Sequence, residues 1–545
     1  MRPARPVSGP DGAVRRTALH LAAFLVIIGL ANFFLLYRAE WSVIFWGTDR
    51  PRLPAIWFTM LALGAFAVCQ RGIAPRRTED WTGPGLIVAL SWLVGLSLTT
   101  AFGVIEQFAN SGDEYAYWFG AQTYLTGHLW NAAPPLGQVM ASNYTWVAGA
   151  KWAGQYPPGW PGLIAGMSAI GISPWIIGTL LAAATLFGLH RLVERDAGRG
   201  PATLAALLFA VAPFTIFNAA SLHSHILAAA LAVAALVAIM QPVGTRSLKR
   251  ALLTGALIGM LGITRSVTAA MVVLPIIGML AIRRDVRSII ALGLGGVPFV
   301  LLLLWYQGSI TGDPLKPVYW LGGRNVDHLY FDLPSIRIGF VQTVNRLAGL
   351  SLWTAPVLPI LWLVAFGAKL RLRKLTPADF VFPLGVLIFV FYPLHQGNGY
   401  GPRYYFDFWP LMLYTIGTAL PLLRSELRRT GEALILLSLL YGVAAWPVLA
   451  GDFRRITDER RDLYDQVAAR GLQKAVICIR TSTSPTLPMP VSDLSRNGVN
   501  MGGAVLYARC ETMDPRLLQR AFPGRSLWIY EREATAVRGR LHPIR

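Results

Sequence analysis

The chain has 545 residues, of which 54% are hydrophobic and only 14% are charged, and its mean hydropathy is +0.48. Soluble chains carry roughly a quarter charged residues, so this composition excludes an ordinary soluble protein and indicates a polytopic membrane protein. The net charge of +21 does not indicate nucleic acid binding, because Lys and Arg gather in short loops between apolar segments.

The apolar segments predict an all-α polytopic membrane protein with about thirteen transmembrane helices. The first segment is long enough to span a membrane, so we do not interpret it as a secretory signal. A further apolar stretch, 160–172, is short and rich in glycine, and we expect it to be re-entrant or interfacial. The predicted spans are 17–37, 53–70, 84–105, 173–193, 201–217, 222–240, 251–263, 267–282, 288–307, 346–366, 378–395, 404–422 and 430–449.

The orientation of these spans follows from their basic residues. With the N-terminus (1–16) in the cytoplasm, each of the seven cytoplasmic segments carries at least three Lys or Arg. The cytoplasmic side then holds twenty-three basic residues before position 450, against ten on the opposite side. This asymmetry predicts outer loops at about 106–172 and 308–345, within a transmembrane domain of 17–449.

The stretch from Ser111 to Gly127 places two adjacent carboxylates, Asp113 and Glu114, just beyond a predicted span. Aromatic and apolar residues follow at helical spacing, which predicts an interfacial helix that holds both acids beside the membrane surface. These residues are Tyr117, Trp118, Ala121, Tyr124 and Leu125. The alternative is a solvated loop with two ordinary acids.

The remaining outer loops contain several candidate binding residues. Tyr156 and Pro158 belong to a rigid proline turn, YPPGWP, although such turns are also common at interfaces. His223 and His225 lie at the outer end of two apolar segments, either in a simple polar turn or facing a phosphate or an acid. Their spacing does not establish a metal site, so a divalent ion stays an open alternative.

Arginines supply the candidate phosphate ligands. Arg265 lies between two short apolar segments, where it either faces a polar interior or sits at an exposed hairpin tip. Arg403 follows a Gly-Pro turn, and its planar guanidinium suits phosphate, although it could equally anchor the chain to lipid headgroups. Further candidates in the late outer loops are Arg324, His395, Asn398, Tyr404 and Tyr405.

The segment 450–545 is polar enough to form a small extracytoplasmic domain. KAVICIR, GAVLYAR and RSLWIYE are typical of strands and DPRLLQRAF of a short helix, which together predict an α/β unit. Cys478 and Cys510 could pair in an oxidising compartment, but free thiols are the favoured interpretation.

Together these motifs resemble the GT-C superfamily of integral-membrane glycosyltransferases, which includes protein O-mannosyltransferases and bacterial aminoarabinose transferases. The matching segments are DEYAYWFGAQTYLTG, YPPGWPGLIAG, LHSHILAAALAVAAL and GYGPRYYFDFWPL, within about 106–422. The chain departs from the pattern in having two extra spans before the acidic loop, and in having Ile226 where the subgroup has proline.

The resemblance implies an inverting transfer from a polyprenyl-phosphate sugar to an envelope glycan, lipid or protein at the outer face of the bacterial inner membrane. It implies Asp113 as the general base, although the residues alone leave Asp113 and Glu114 close to a tie. It assigns Arg403, helped by Arg265, to the leaving phosphate, and the aromatic residues near Tyr156 and Tyr404 to the sugar or lipid.

Two other function classes fit part of the sequence. A carrier or flippase of a lipid-linked saccharide would also need many spans, but it would place critical charges near the middle of spans, whereas here they concentrate on the outer side. A structural partner in an envelope complex would leave the acidic pair unexplained. A nucleotide-dependent enzyme or pump is disfavoured, because the sequence has neither a GxxxxGK[ST] motif nor a convincing dinucleotide fingerprint.

Overall fold

A computed structural model describes residues 84–240, 247–322, 329–392, 399–481, 494–510, 513–533 and 538–544, together with Trp57 and Met60. Most of these residues are helical. The α-helices are α1 (Pro84–Thr99), α2 (Gly112–Leu125), α3 (Gly159–Ala169), α4 (Pro174–Ala197), α5 (Arg199–Val211), α6 (Pro213–Ala220), α7 (His225–Ile239), α8 (Leu248–Gly262), α9 (Ser266–Ile282), α10 (Val286–Thr311), α11 (Leu333–Trp353), α12 (Leu358–Arg371), α13 (Pro377–Val390), α14 (Trp409–Ala419), α15 (Ser425–Ala469) and α16 (Arg516–Ala521).

Four helices of the described residues are long and apolar enough to cross a membrane: α1 with the π-helical turn that follows it, α4, α10 and α15. Two bent pairs meet the same criterion when taken together, α5 with α6 and α11 with α12. Helices α7, α9 and α13 are apolar but shorter. The chain is therefore an integral membrane protein. The count of about thirteen spans stays a prediction, because 17–37 and most of 53–70 lie outside the described residues.

The apolar pattern located most helices in the described residues but missed how some begin and end. Segment 346–366 was predicted as a single span, and this is wrong, because α11 ends at Trp353 and α12 leaves at an angle of 107°. Pro356 lies in the break, and a proline supplies no backbone N–H to continue a helix. Helix α11 already begins at Leu333, inside the predicted loop 308–345, and α15 continues unbroken past residue 449.

Small residues allow the helices to approach closely. A Cβ added at Gly255 of α8 would lie 1.9 Å from the Leu292 carbonyl oxygen of α10, and one at Gly295 would lie 2.0 Å from the Leu252 oxygen. In lipid, where apolar burial gives little drive for association, such close backbone contact is a main source of helix-helix affinity. Glycine is therefore required at both positions of this helix pair.

A short antiparallel sheet follows α2. Its strands are β1 (Asn131–Ala132), β2 (Thr145–Ala148) and β3 (Lys151–Gly154), in the order β1-β3-β2. Trp152 is fully buried and its ring packs against Phe119 of α2, with 4.4 Å between ring centroids. The sheet thus covers one side of α2.

The C-terminal segment forms the predicted small α/β unit. Strands β4 (Ala475–Thr481), β5 (Val505–Arg509) and β6 (Ser526–Arg532) match the predicted strands, and α16 matches the predicted helix. The sequence analysis missed β7 (Arg540–Pro543). The sheet has the order β5-β4-β6-β7, with β7 antiparallel to β6 and the other pairings parallel. Cys478 and Cys510 are buried free thiols, as favoured from the sequence.

The C-terminal unit docks onto the start of α2 through one short segment. Arg496 lies over the rings of Phe108 and Tyr115, 4.6 and 5.2 Å from their centroids, and donates to the Ala109 carbonyl oxygen. Tyr115 in turn donates to the Asn497 carbonyl oxygen at 2.8 Å. The acid-bearing helix is therefore held between the membrane helices, the short sheet and the C-terminal unit.

Candidate active site

Helix α2 begins with a reciprocal pair of hydrogen bonds between Ser111 and Glu114. Ser111 accepts a hydrogen bond from the Glu114 backbone N–H at 3.2 Å and donates its hydroxyl to Glu114 Oε2 at 2.9 Å. This serine-to-glutamate spacing is that of a capping box. Since adjacent residues on a helix point about 100° apart, Asp113 and Glu114 enter different surroundings.

Glu114 is buried and connects helix α2 to two other parts of the site. Its side chain is fully buried, and its Oε1 accepts from the Leu222 backbone N–H and from the Tyr400 hydroxyl, both at 3.2 Å. Burial raises the pKa of Glu114 to about 7, even though its hydrogen bonds favour the ionised form. These contacts tie α2 to the histidine segment and to the Gly-Pro turn, so Glu114 serves the architecture of the site.

Asp113 faces a more open space. It accepts a hydrogen bond from the Tyr156 hydroxyl at Oδ1, and Arg403 Nη2 donates to its Oδ2 at 2.9 Å. The Asp113 side chain is 13% exposed, whereas Arg403 is 5% exposed. Each carboxylate oxygen can accept more than one donor, so Asp113 can still receive a substrate hydroxyl. The structure thus separates the two acids that the sequence left close to a tie.

The proline turn places Tyr156 beside Asp113. The Tyr156 ring stacks on Tyr117 of α2 at 4.2 Å, and burial, together with the negative charge of Asp113, raises the pKa of Tyr156. Pro158 caps the start of α3. The next residue, Gly159, donates its N–H to the Ile263 carbonyl oxygen at 2.9 Å. An added Cβ at Gly159 would lie 2.3 Å from Thr264 Oγ1, so glycine is needed where this turn meets the Arg265 segment.

A second charged cluster surrounds Asp407, in the 3-10 helix 403–408. His225 Nδ1 lies 2.7 Å from Asp407 Oδ1, and Arg265 Nε donates to Oδ2 at 2.6 Å. Thr268 also donates to Oδ2. Arg265 therefore lies at the start of α9 inside the site, which excludes the hairpin-tip alternative.

Tyr404 and Tyr405 have different surroundings. The Arg265 guanidinium lies 4.9 Å from the Tyr404 ring centroid, and the His225 ring lies 5.5 Å from the same ring. Tyr405 instead is fully buried and packs against Phe389 and Phe408. Tyr405 was predicted to bind substrate, but the structure places it in the aromatic core, because successive side chains of the 3-10 helix diverge.

His223 bridges the two acid-bearing regions. Its Nε2 lies 3.4 Å from Ser111 Oγ, and its ring packs edge-on against Tyr400 at 5.0 Å between centroids. Burial lowers the pKa of His223 well below its ordinary value, and the positive charge of Arg403 lowers it further. A neutral imidazole at this position is a packing and hydrogen-bonding group.

Backbone strain is found at the turn before Arg403. Tyr400 has φ +55°, which is uncommon for a bulky residue, and Gly401 follows with φ +76°. A Cβ at Gly401 would lie 2.9 Å from the Trp353 ring. Asn218 Nδ2 holds the Tyr400 carbonyl oxygen at 3.0 Å. This turn brings Arg403 to Asp113.

The expected interfacial helix is less exposed than its pattern indicated. Helix α2 buries residues on several sides, including Tyr115, Tyr117 and Phe119, because the C-terminal unit and the short sheet cover it. Of the predicted face, Leu125 is exposed and Ala121 is fully buried. Periodicity within one helix cannot predict which other parts of the chain will cover it.

Not every predicted site residue can be placed. Arg324, His395 and Asn398 lie outside the described residues. Conversely, the sequence analysis did not single out Asp407 or Tyr400. Asp407 was visible in the GYGPRYYFDF motif as the only acid near Arg403. Within the described residues, no three His, Cys, Asp or Glu side chains group closely enough to hold a metal ion.

No family model matches the chain, and no curated protein matches it by sequence. Its fold, however, is similar to that of solved membrane proteins. ArnT from Cupriavidus metallidurans bound to undecaprenyl phosphate aligns with a TM-score of 0.52 at 12% identity, covering 83% of this chain and 93% of ArnT. The apo form of that ArnT gives a TM-score of 0.51 at 13% identity, covering 82% and 93%.

The Archaeoglobus fulgidus oligosaccharyltransferase, solved with zinc and sulfate, is a further match, with a TM-score of 0.46 at 12% identity. That alignment covers 66% of this chain, which spans about half (53%) of the oligosaccharyltransferase. The ArnT alignments extend over most of both chains and confirm the architecture expected from the motifs. The chain has the polytopic membrane fold that ArnT also has, which is the GT-C-like fold expected from the motifs, with a small C-terminal α/β unit.

Proposed function

We propose that the protein transfers a sugar from a polyprenyl-phosphate donor to a hydroxyl of an envelope glycan, lipid or protein at the outer face of the bacterial inner membrane. The observation that carries this proposal is the partly exposed Asp113, held by Arg403 and Tyr156, together with a second guanidinium, Arg265, whose charge acts on Tyr117 as do the charges of Asp113 and Arg403. A partly exposed carboxylate in a site with two arginines suits a reaction that removes a proton and releases a phosphate.

The proposed reaction is a single displacement. Asp113 accepts the proton of the acceptor hydroxyl while that oxygen attacks the anomeric carbon of the donor. The bond from the anomeric carbon to the phosphate oxygen breaks, and its electron pair leaves with the polyprenyl phosphate. One displacement inverts the configuration at the anomeric carbon.

Arg403 and Arg265 stabilise the negative charge that develops on the leaving phosphate. Arg403 is already ion-paired with Asp113, so in the proposed reaction its guanidinium lies between the base and the leaving phosphate. Arg265 has a more exposed side chain, 19%, and its terminal nitrogens donate no hydrogen bond to a described residue. A bidentate guanidinium edge is the geometry that binds phosphate best.

The resemblance in fold to ArnT supports a lipid-linked donor, since that protein was solved with undecaprenyl phosphate. A lipid-linked donor enters the site from the membrane and carries no nucleotide. It therefore also agrees with the absence of a nucleotide-binding motif from the sequence. The proposed outer location rests on the asymmetry of basic residues, which predicts Asp113, Arg265 and Arg403 on the less basic side.

A transfer assay tests the proposal. Purified protein in detergent or liposomes is incubated with a set of radiolabelled undecaprenyl-phosphate sugars and an envelope extract, and labelled acceptor is separated from labelled lipid. We expect label to move into the extract with at least one donor. If the protein binds these lipids and carries them across liposomes without transferring any sugar, it is a carrier, and the proposed reaction is wrong.

A further inference from the structure

The cluster around Asp407 contains two side chains, His225 and Arg265, that keep nitrogen atoms not used in binding Asp407. Asp407 is 1% exposed and joins three elements: His225 at the start of α7, Arg265 and Thr268 at the start of α9, and the 3-10 helix 403–408. All three side chains contact its two oxygens. The carboxylate therefore fixes the orientation of both the imidazole and the guanidinium.

The contacts of Asp407 set the proton on His225. Arg265, a permanent cation, and Thr268 both donate to Oδ2, and this favours the ionised carboxylate. An ionised Oδ1 can only accept, so the 2.7 Å contact requires a proton on His225 Nδ1. In the neutral imidazole, Nε2 then carries a lone pair and no proton.

Charge balance favours the neutral imidazole. Asp113 and Asp407 are each paired with one arginine, Arg403 and Arg265, whereas the third acid, Glu114, is held apart by Ser111, Leu222 and Tyr400. These four charges cancel, so an imidazolium would add an uncompensated positive charge to a buried cluster, which is costly. Nε2 of His225 is therefore a hydrogen-bond acceptor.

Two sets of nitrogen atoms, Nε2 of His225 and the terminal nitrogens of Arg265, make no hydrogen bond to a described residue. His225 makes its side-chain hydrogen bond through Nδ1, and no described residue pairs with Nε2. Arg265 uses Nε, and its terminal nitrogens remain for a ligand. Both groups contact the Tyr404 ring. The acceptor nitrogen of His225 and the donor nitrogens of Arg265 therefore border the same part of the site.

We infer that His225 Nε2 accepts a hydrogen bond from a hydroxyl of the donor sugar, next to the phosphate held by the Arg265 edge, and that Asp407 positions both groups. This rests on the proposed function and refines it. The phosphodiester of the donor carries no proton at neutral pH, so a bare Nε2 cannot accept a hydrogen bond from it, whereas a sugar hydroxyl supplies the donor. His225 thereby recognises the sugar, and Arg265 recognises the phosphate.

Binding measurements separate the two roles. The probes are undecaprenyl phosphate and undecaprenyl phosphate carrying glucose, mannose or arabinose, titrated against protein in detergent by microscale thermophoresis. The wild-type protein should bind its best sugar-bearing lipid more tightly than undecaprenyl phosphate. Failure to bind either kind of lipid contradicts the proposed function itself, whereas equal affinity for both contradicts only the role of His225.

Two variants sharpen the test. His225→Asn keeps a donor near Nδ1 and deletes Nε2, so the sugar-bearing lipid should bind at least about ten-fold more weakly and undecaprenyl phosphate unchanged. Arg265→Gln should weaken both lipids. Equal weakening of both lipids by His225→Asn would show that the imidazole binds the phosphate, and no weakening would show that it binds neither. Either result overturns the inference.

Asp407→Asn tests the positioning role through the tautomer. Its amide can donate to His225 Nδ1, which moves the imidazole proton to Nε2 and turns an acceptor into a donor, as in the comparable serine protease substitution. We expect the preference for the sugar-bearing lipid to be lost while undecaprenyl phosphate binds at least as tightly. A purely structural Asp407 would weaken both lipids alike, and retained sugar preference would contradict the assigned tautomer.

Discussion

Two buried ion-pair clusters, near the two ends of α9, differ in how completely their atoms are used. At the end near Arg283, Lys369 donates to both oxygens of Asp379, at 2.6 and 2.7 Å, and to Thr418 at 2.8 Å. Asp379 also accepts from Thr376 and Thr415. Every proton of the ammonium group has an acceptor, so this cluster has no capacity left for a ligand.

The cluster at the start of α9 is incomplete by comparison. Arg265 and His225 each use one nitrogen on Asp407, and Asp113 remains 13% exposed. Buried charges are costly unless they are paired and hydrogen-bonded, so a stable fold tends to saturate them. Saturation is typical of a structural tie between helices, as at Lys369, whereas the unused nitrogens of Arg265 and His225 agree with the proposal that a ligand binds beside Asp407.

The largest expected effect comes from the base. Asp113→Asn preserves shape and removes basicity, so sugar transfer should fall by about a hundred- to ten-thousand-fold, the usual contribution of a general base. The measurement is initial transfer rate per folded protein, with donor-lipid binding as the control for an intact site. Normal transfer by Asp113→Asn together with an inactive Glu114→Gln would assign the base to Glu114 instead.

Breaking the saturated cluster should affect stability rather than chemistry. Lys369→Met leaves Asp379 as an uncompensated buried charge, which typically costs about 3–5 kcal/mol. Thermal or denaturant unfolding in detergent should show the loss, while transfer per folded molecule stays near the wild-type value. The double variant Lys369→Met/Asp379→Leu should regain much of the stability. A selective loss of transfer in a stable Lys369→Met protein would contradict a purely structural cluster.

Arg403→Lys tests whether the guanidinium acts as more than a charge. Lysine retains the positive charge but not the planar fork, so we expect transfer to fall about ten- to a hundred-fold, the cost of a lost hydrogen bond to a charged group. Donor binding and turnover are measured separately to show which step depends on the fork. A normal rate in Arg403→Ala would make this residue only an anchor.

The effect that is smallest for each pH unit concerns the buried Glu114. Its pKa is raised from 4.5 to about 7, so the folded protein binds this proton more tightly than the unfolded chain does. Stability therefore falls as pH rises from about 4.5 to 7, with a slope of at most about 1.4 kcal/mol per pH unit for one proton. Glu114→Gln should remove that slope, as measured by unfolding at pH 5, 6 and 7. An unchanged slope would mean that Glu114 is ionised throughout.

Much of the fold could be predicted from local pattern. Long apolar segments predicted α4 and α10, and a short run of apolar, partly β-branched residues predicted the strand containing Cys478, because both signals depend only on neighbours along the chain. The break after Trp353 was missed although Pro356 marks it, since the apolar character continues across the turn. Hydropathy depends on which residues are present and does not show where the direction of a helix changes.

By itself, the sequence determined a membrane protein with an acidic pair, a proline turn, a histidine segment and a GPRYY motif, each with the chemistry its residues carry. Only the tertiary structure decided that Asp113 meets Arg403, 290 positions away, and that Glu114 is sealed beneath Tyr400. It also paired Asp407 with His225 and Arg265. The physical reason is that burial and pairing are properties of surroundings assembled from distant segments, so two adjacent acids with the same intrinsic chemistry acquire different surroundings.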